Sequence, residues 1–343
     1  MSSNRMNVMV AGVAGASLGT EIVKSLETTK RFNVYVCDIS PLAYGHYMDS
    51  VKQSFVLERE GYIENLLKLC KELDVSLLIP GGDEPSVLIG ANKQLFVADG
   101  IEVATNTPDV ISLCSDKAKT FDILQKHGVK IPKTVSVSSL DQLHDAPLPC
   151  VVKPATGTGG SNLVFLAADQ QSQRIYTSYI LESGSKAVIQ EYIGVDEGEV
   201  TIGVLHTPDG ELVGSIALQR MFHAKLSVFT KNEVGIISSG YSQGLIDEFQ
   251  SIRKQAEDIA TLVKSKGPLN IQGRIRDGAL LPFEINPRFS ATTYLRTLAG
   301  FNEVDMYARV LLDGETPPMP NVKYGYYLRS LDETFVPKGG LVS

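Results

Sequence analysis

Cysteine is scarce and scattered. The 343-residue chain holds four, Cys37, Cys70, Cys114 and Cys150, far apart and with no CxxC pair. That usage argues against a disulfide framework and against a zinc site, and suits buried reduced thiols, with the cytosol as the expected compartment. Positive charge is also in short supply: 32 Lys and Arg against 39 Asp and Glu leave a net charge of −7. A general grip on nucleic acid needs a cationic surplus, so nucleic acid is not an expected partner, while a local cationic pocket stays compatible. No apolar run is long enough to span a bilayer, so no membrane partner is expected either. Arg5 and the small-residue apolar stretch behind it have the look of a signal peptide. The glycines there, and the amphipathic "TEIVKSLETTK" that follows, fit a strand–turn–helix better.

What is present is the profile of a folded globular chain, 43% hydrophobic and 21% charged. The length implies two or three domains. From Asn7 to about Leu113, apolar strands ("NVMVAG", "NVYVCD", "SLLIPG", "IEVAT") alternate with helical patterns at 18–28, 62–73 and 84–97. Such alternation implies a doubly wound parallel sheet with helices on both faces. A helix N-capped by Ser115 and stopped by Gly128 follows, then a small α/β unit to Ile189 with a helix at 169–181. Beyond Gln190 two hairpins are expected, turning at Pro208-Asp209-Gly210 and at Asp277-Gly278. Between them Leu245, Phe249, Ile252, Ala256, Ile259 and Val263 form one helical stripe, and a last helix is expected over 304–312.

Three stretches carry chemistry. In "LLPFEINPRFS", Glu284 and Asn286 are two apart on a strand, hence on one face, and Gln272 lies on the strand before the Asp277-Gly278 turn. A carboxylate and two amide oxygens are hard ligands suited to Mg²⁺ or Mn²⁺, and Arg288 two residues on suggests phosphate chemistry; a buried polar network closing a strand end is the alternative. In "VVKPATGTGGSN", Lys153 ends a strand and precedes a loop of Thr156, Gly157, Thr158, Gly159, Gly160 and Ser161, whose backbone N–H groups suit phosphate oxygens. An ordinary surface loop is the other reading; it is not a Walker A loop, since the lysine precedes the glycines. In "AVIQEYIGVDEGEVTIGV", a linker at Gln190, Glu191, Tyr192 and Ile193 can offer backbone groups to an adenine edge, and a following carboxylate can accept from ribose hydroxyls.

Taken together, and in this order, the three stretches resemble the ATP-grasp superfamily from about Ser115 to Asp313. "NIQGRIRDGALLPFEINPRFS" is similar to the metal-binding hairpin of its carbamoyl-phosphate synthetase-like branch. The resemblance implies a fold of mixed α/β and α+β class: an N-terminal doubly wound parallel-sheet (pre-ATP-grasp) substrate domain at 1–113, a linking helix at 114–133, a lid at 134–189 and a C-terminal metal-bearing subdomain at 190–343. It implies that Lys117 and Lys153 hold ATP phosphates, that Thr156 to Ser161 close over them, that Gln190 to Ile193 meet the adenine and Glu199 the ribose. Gln272, Glu284 and Asn286 would hold the cation, and Arg288, with Arg220, would steady the transferred phosphoryl group. His223, Lys225 and Arg274 are nearby candidates for substrate contact or simply solvated surface. The chain has one such module, and "FSATTYLRT" after Arg288 lacks the further basic residue of the synthetase, which sets carbamate chemistry aside.

The implied activity is an ATP-dependent carboxylate–amine ligase with small-molecule substrates and an acyl-phosphate intermediate; a homodimer is compatible with it. The alternatives are a kinase-like phosphotransferase on the same site, a non-catalytic ATP sensor, and an NAD(P)-dependent oxidoreductase. The last rests on "VMVAGVAGASLGTEIV" with Asp38 downstream. Its glycines, Gly12, Gly15 and Gly19, are spaced G-x-x-G-x-x-x-G, which lacks the second glycine that lets backbone approach a pyrophosphate. Gly12 and Gly15 are therefore expected in a wall of the substrate pocket. Glu84, at a helix start after "LIPGGD", is a candidate for an amine contact or for a favourable helix-end charge.

Overall fold

The computed structural model describes residues 5–15, 17–157, 163–223 and 225–342. Five parallel strands open the chain: β1 (Met6–Ala11), β2 (Phe32–Asp38), β3 (Gln53–Val56), β4 (Val75–Pro80) and β5 (Glu102–Val103), in the order β3-β2-β1-β4-β5. Their side chains alternate between two apolar cores, Val8, Val10, Val34, Val36, Leu77 and Ile79 on one face and Met9, Ala11, Tyr35, Cys37 and Leu78 on the other. Burial on both faces is why these strands read as continuous apolar runs. The helices α1 (Leu18–Glu27), α2 (Tyr62–Glu72), α3 (Asp83–Ala91) and α4 (Lys93–Ala98) cover them. The single helix expected over 84–97 is broken at Asn92, whose side chain donates back to the Leu88 carbonyl.

The glycines of the first turn serve packing. Gly12 takes φ +92°, and a Cβ on Gly19 or on Gly81 would lie 1.9 or 2.0 Å from its carbonyl oxygen. Strand, helix and the end of β4 thus meet at backbone distance. Gly15 has no such constraint; a Cβ there would meet only Tyr44, at 3.4 Å.

Two short helices follow, α5 (Pro108–Ser115) and α6 (Lys117–Lys126). Ser115, expected as an N-cap, ends α5 instead. Asp116 caps α6 by accepting from the Lys119 N–H, which a carboxylate does well at the positive end of a helix. Next comes an antiparallel sheet of β6 (Thr134–Val137), β7 (Cys150–Pro154), β8 (Phe165–Ala167) and β9 (Ala187–Glu191), ordered β6-β9-β7-β8 and backed by α7 (Gln170–Glu182).

The third part is a larger antiparallel sheet. It is built from β10 (Glu199–His206), β11 (Leu212–Arg220), the paired β12 (Val228–Lys231) and β13 (Ile236–Ser238), β14 (Gly244–Ile246), helix α8 (Gln250–Leu262), β15 (Pro268–Arg276), β16 (Ala279–Asn286), helices α9 (Thr293–Leu298) and α10 (Glu303–Ala308), and β17 (Gly325–Tyr327). The main sheet runs β16-β15-β10-β11-β14-β17, with β12 and β13 paired apart from it. Both expected hairpins are present. The stripe assigned to one helix divides: Leu245 pairs with Gln219 of β11, and α8 starts only after Phe249 turns left-handed at φ 38°. The final helix stops at Ala308 and loosens into a π turn at Arg309–Asp313.

One core joins the first sheet to the third. Val8, Ile22 and Leu26 pack in the same cluster as Leu205, Phe289, Phe301 and Tyr307. Arg31 ties the two to each other through Asp305 and Asp313 at 2.7 and 2.6 Å.

Adding one methyl group tests the glycine contact. Gly81→Ala is expected to cost about 3 kcal/mol or more, since the backbone on all sides must shift. Gly15→Ala is expected to stay within about 0.5 kcal/mol. Thermal unfolding of both variants checks this, and equal midpoints would contradict the packing role.

Candidate active site

The carboxyl end of β7, the end of β9 and the β15–β16 hairpin converge on one cleft. Lys117, Lys153, Gln190 to Ile193, Glu199, Gln272, Arg274, Glu284 and Arg288 all line it. Lys153 is buried. Its Nζ donates to Gln190 Oε1 at 2.9 Å and to the Phe283 carbonyl at 2.7 Å, with the rings of Phe121 and Phe283 within 6 Å of it at 5.6 and 5.9 Å. Burial, helped by the charge of Lys117 and opposed by Glu284, brings its pKa down to about 7. The side chain of Gln190, expected at an adenine, is bonded within the cleft wall to Lys153 and to the Thr134 hydroxyl.

The linker is strapped down residue by residue. The Glu191 N–H donates to the Lys133 carbonyl at 2.8 Å, and the Tyr192 N–H to the Pro149 carbonyl at 3.0 Å. The Tyr192 hydroxyl accepts from the Ile236 N–H at 2.8 Å, and the Ile193 carbonyl accepts from Arg274. The Glu191 carboxylate pairs with Arg276 at 2.7 Å.

Glu199 is fully buried, and both its oxygens are held, one by Arg220 at 3.1 Å and the other by Arg274 at 2.8 Å. It therefore forms part of the cleft wall, where a ribose contact was expected. Arg274, expected near the substrate, belongs to the same wall: it binds the carbonyls of Ile193 and Ile236 and stacks 4.6 Å from the Tyr192 ring centroid. Arg220 continues the network, its Nη2 donating to Gln272 Oε1 at 2.6 Å, and Gln272 Nε2 donates to Glu284 Oε2 at 2.8 Å.

These bonds decide how the hairpin would meet a cation. Gln272 and Glu284 are cross-strand partners, and Asn286 lies beyond, opposite Asn270. The oxygen of Gln272 accepts from Arg220 and its Nε2 donates to Glu284, so in this arrangement the residue orients Glu284 and keeps one oxygen lone pair for a ligand. The buried Asn286 Nδ2 has no hydrogen-bond partner among the described residues, so nothing on the nitrogen stops the amide from presenting its oxygen. Glu284 and Asn286 thus fit a hard cation. No group of three or more His, Cys, Asp or Glu side chains suited to a metal occurs among the described residues. Phosphate oxygens and water would have to complete the shell, as is usual for Mg²⁺.

Arg288 reaches the cleft from the other side. Its Nε donates to Asp83 Oδ1 at 2.7 Å and its Nη1 to the Phe289 carbonyl at 2.8 Å. Asp83, the residue before Glu84, had no expected role; the charge of Arg288 holds its carboxyl below the usual range. Glu84 sits in the first turn of α3, exposed and paired with Arg59 at 2.9 Å. Gly12 and Glu84 line a separate cavity, which Gly15 does not. Thr156 and Gly157 are exposed at the end of β7, while Thr158, Gly159, Gly160 and Ser161 lie outside the described residues, as does the side chain of Lys225. His223 is exposed and does not line the cleft.

The Lys153 environment has a thermodynamic consequence. The folded chain releases this proton near pH 7, whereas the unfolded chain keeps it to an ordinary value near 10.5. Between those values the unfolded state binds more protons, so stability rises with pH. Relative to Lys153→Met, the wild-type chain is expected to gain up to about 1.4 kcal/mol per pH unit above pH 7. Urea midpoints across pH 7 to 9 measure this; parallel curves would contradict it.

Comparison with known proteins identifies the family. The ATP-grasp domain family model matches residues 114–292. The carbamoyl phosphate synthase large chain of Vibrio cholerae serotype O1 is 24% identical over 242 residues, 69% of this chain and 22% of that protein. The chain therefore spans roughly a fifth of such a relative's length. An N5-carboxyaminoimidazole ribonucleotide synthetase, solved as its ADP complex, superposes with a TM-score of 0.67 at 13% identity, covering 94% of this chain and 81% of that one. The D-alanine–D-alanine ligase of Bacillus anthracis, solved with ATP, gives 0.61 at 19% identity, covering 90% and 98%. At these identities the structural likeness establishes the fold, and with the family match over more than half its length, the chain belongs to the ATP-grasp family.

Proposed function

We propose that the protein is an ATP-dependent ligase that joins a small-molecule carboxylate to an amine. The observation that carries this reading is the convergence of Lys153, the paired Gln272 and Glu284 of the β15–β16 hairpin, and Arg288 on one cleft. The named relatives, a ribonucleotide synthetase and a D-alanine ligase, support it. Residues 1–113 would form the substrate domain, 114–133 a link, 134–189 a lid and 190–343 the metal-bearing part.

In the first half-reaction a carboxylate oxygen attacks the γ-phosphorus of ATP, and the bond from that phosphorus to the β,γ-bridging oxygen breaks, releasing ADP. Lys153 and Lys117 meet the phosphates as cations, and Arg288, oriented by Asp83, meets the transferring group. In-line phosphoryl transfer asks a protein mainly for such positioning and charge screening. Glu284 and Asn286 would hold Mg²⁺ or Mn²⁺, which when bound neutralises charge on the phosphates. The backbone of Gln190 to Ile193 would receive the adenine, the Ile193 N–H being without a backbone acceptor among the described residues. In the second half-reaction the amine attacks the acyl carbon, the bond to the phosphate oxygen breaks, and the amine loses a proton as the amide forms. The four cysteines, all free and buried, suit the reducing cytosol in which we place the protein.

Trapping checks the central step. With Mg·ATP, hydroxylamine and a panel of carboxylic acids, hydroxamate is expected for the true substrate. It should fall on the order of 100-fold in Glu284→Ala and in Arg288→Ala. ATP turnover with no trappable acyl group would contradict the ligase reading, and a stable phosphorylated product would favour a phosphotransferase.

A further inference from the structure

The Gly-rich turn, Asp38 and the second residue of α3 take no part in that chemistry, yet they enclose a cavity of their own. It measures about 340 Å³ and lies at the carboxyl ends of β1, β2 and β4. Asp38, Ile39, Tyr62 and Leu88 line it, with Arg59 and Glu84 at its rim. The strand order reverses between β1 and β4, the place where open α/β sheets take ligands.

Its lining narrows the chemistry. Asp38 is only 7% exposed, and each carboxylate oxygen is pinned by a backbone donor, Oδ2 by the Val13 N–H at 2.7 Å and Oδ1 by the Ser40 N–H at 3.0 Å. A carboxylate fixed in this way retains one lone pair on each oxygen, spaced for two adjacent hydroxyls. Ile39 and Leu88 are 37% and 38% exposed, large apolar groups at the cavity that a flat ring would cover. Arg59 is the only cation in the lining among the described residues, and Glu84 already pairs with it. With Asp38 and Glu84 against Arg59, the lining carries one net negative charge, unsuited to a pyrophosphate. The turn refuses a pyrophosphate too: the Gly12 N–H is committed to the Cys37 carbonyl at 2.8 Å and the Val13 N–H to Asp38.

We infer that this cavity binds a ribonucleoside, with the ribose diol on Asp38 and the base between Ile39 and Leu88. Asp83, which holds Arg288, stands between Gly82 in the cavity lining and Glu84 at its rim. A group carried by the nucleoside is thus directed toward Arg288, making this the handle of the acceptor. That role rests on the ligase reading; the binding does not.

Calorimetric titration of the full chain with adenosine, guanosine, cytidine and uridine tests it, with Mg·ADP first added to saturate the main cleft. At least one nucleoside is expected to bind once per chain. Its 2′,3′-dideoxy form should bind at least tenfold more weakly, and Leu88→Trp should abolish nucleoside binding while leaving ADP binding unchanged. The inference is overturned if none of the four binds, if the dideoxy form binds equally well, or if Leu88→Trp has no effect. Should ADP itself fail to bind, the main-cleft reading fails separately, and nucleoside titration of the free protein with the same variant still decides this site.

Discussion

A buried carboxylate clasped by two arginines sets the geometry of the main cleft. A carboxylate taken out of water needs strong compensation, and Arg220 and Arg274 supply it to Glu199 from the neighbouring strands on either side. Burial pulls the Arg220 pKa down, and the charge of Glu199 pulls it back. Removing one member of such a set typically costs about 3–5 kcal/mol, because a buried charge is left alone. Through Arg274 the carboxylate positions the Ile193 carbonyl and the Tyr192 ring; through Arg220 and Gln272 it positions Glu284. The Gln190–Ile193 linker and the β15–β16 hairpin therefore share one anchor, and a displacement at either end is felt at the other.

The same network explains how an acidic chain can hold a polyphosphate. Net charge is −7 overall, yet Lys117, Lys153, Arg274 and Arg288 line the cleft, with Arg220 behind them. Much of the negative charge there is already engaged: Glu199 by two arginines, Glu191 by Arg276. Lys153 is a strained cation, cut off from water and crowded by Lys117. An anionic ligand would relieve that strain, so the cleft is electrostatically suited to phosphate.

Much of this was legible in the sequence, for reasons that lie in local pattern. Apolar runs buried on both faces announced the parallel sheet, turn residues announced both hairpins, and the apolar run before Asn286 announced β16, which carries Glu284 and Asn286. What local pattern does not carry is long-range pairing. Leu245 keeps helical spacing with α8, yet it pairs with β11 because strand partners 26 residues away outcompete it. The partners of Glu199 come from two other strands, and Asp83 meets Arg288 across 205 residues of chain. The register shift between Gln272 and Gly273, which sets Gln272 opposite Glu284, has no sequence signal of its own. The opening glycines show a different failure: they resemble a cofactor turn, and the structure uses Gly12 and Gly19 to bring backbone against backbone.

The most direct test of the main-cleft assignment needs no knowledge of the substrate. Crystals grown with Mn²⁺ and ADP, measured at a wavelength where manganese scatters anomalously, locate metal and nucleotide together. The account predicts an anomalous peak between the side chains of Glu284 and Asn286, with the diphosphate beside Lys153 and the adenine along Gln190 to Ile193. A main cleft left without nucleotide, or manganese away from the hairpin, would contradict it.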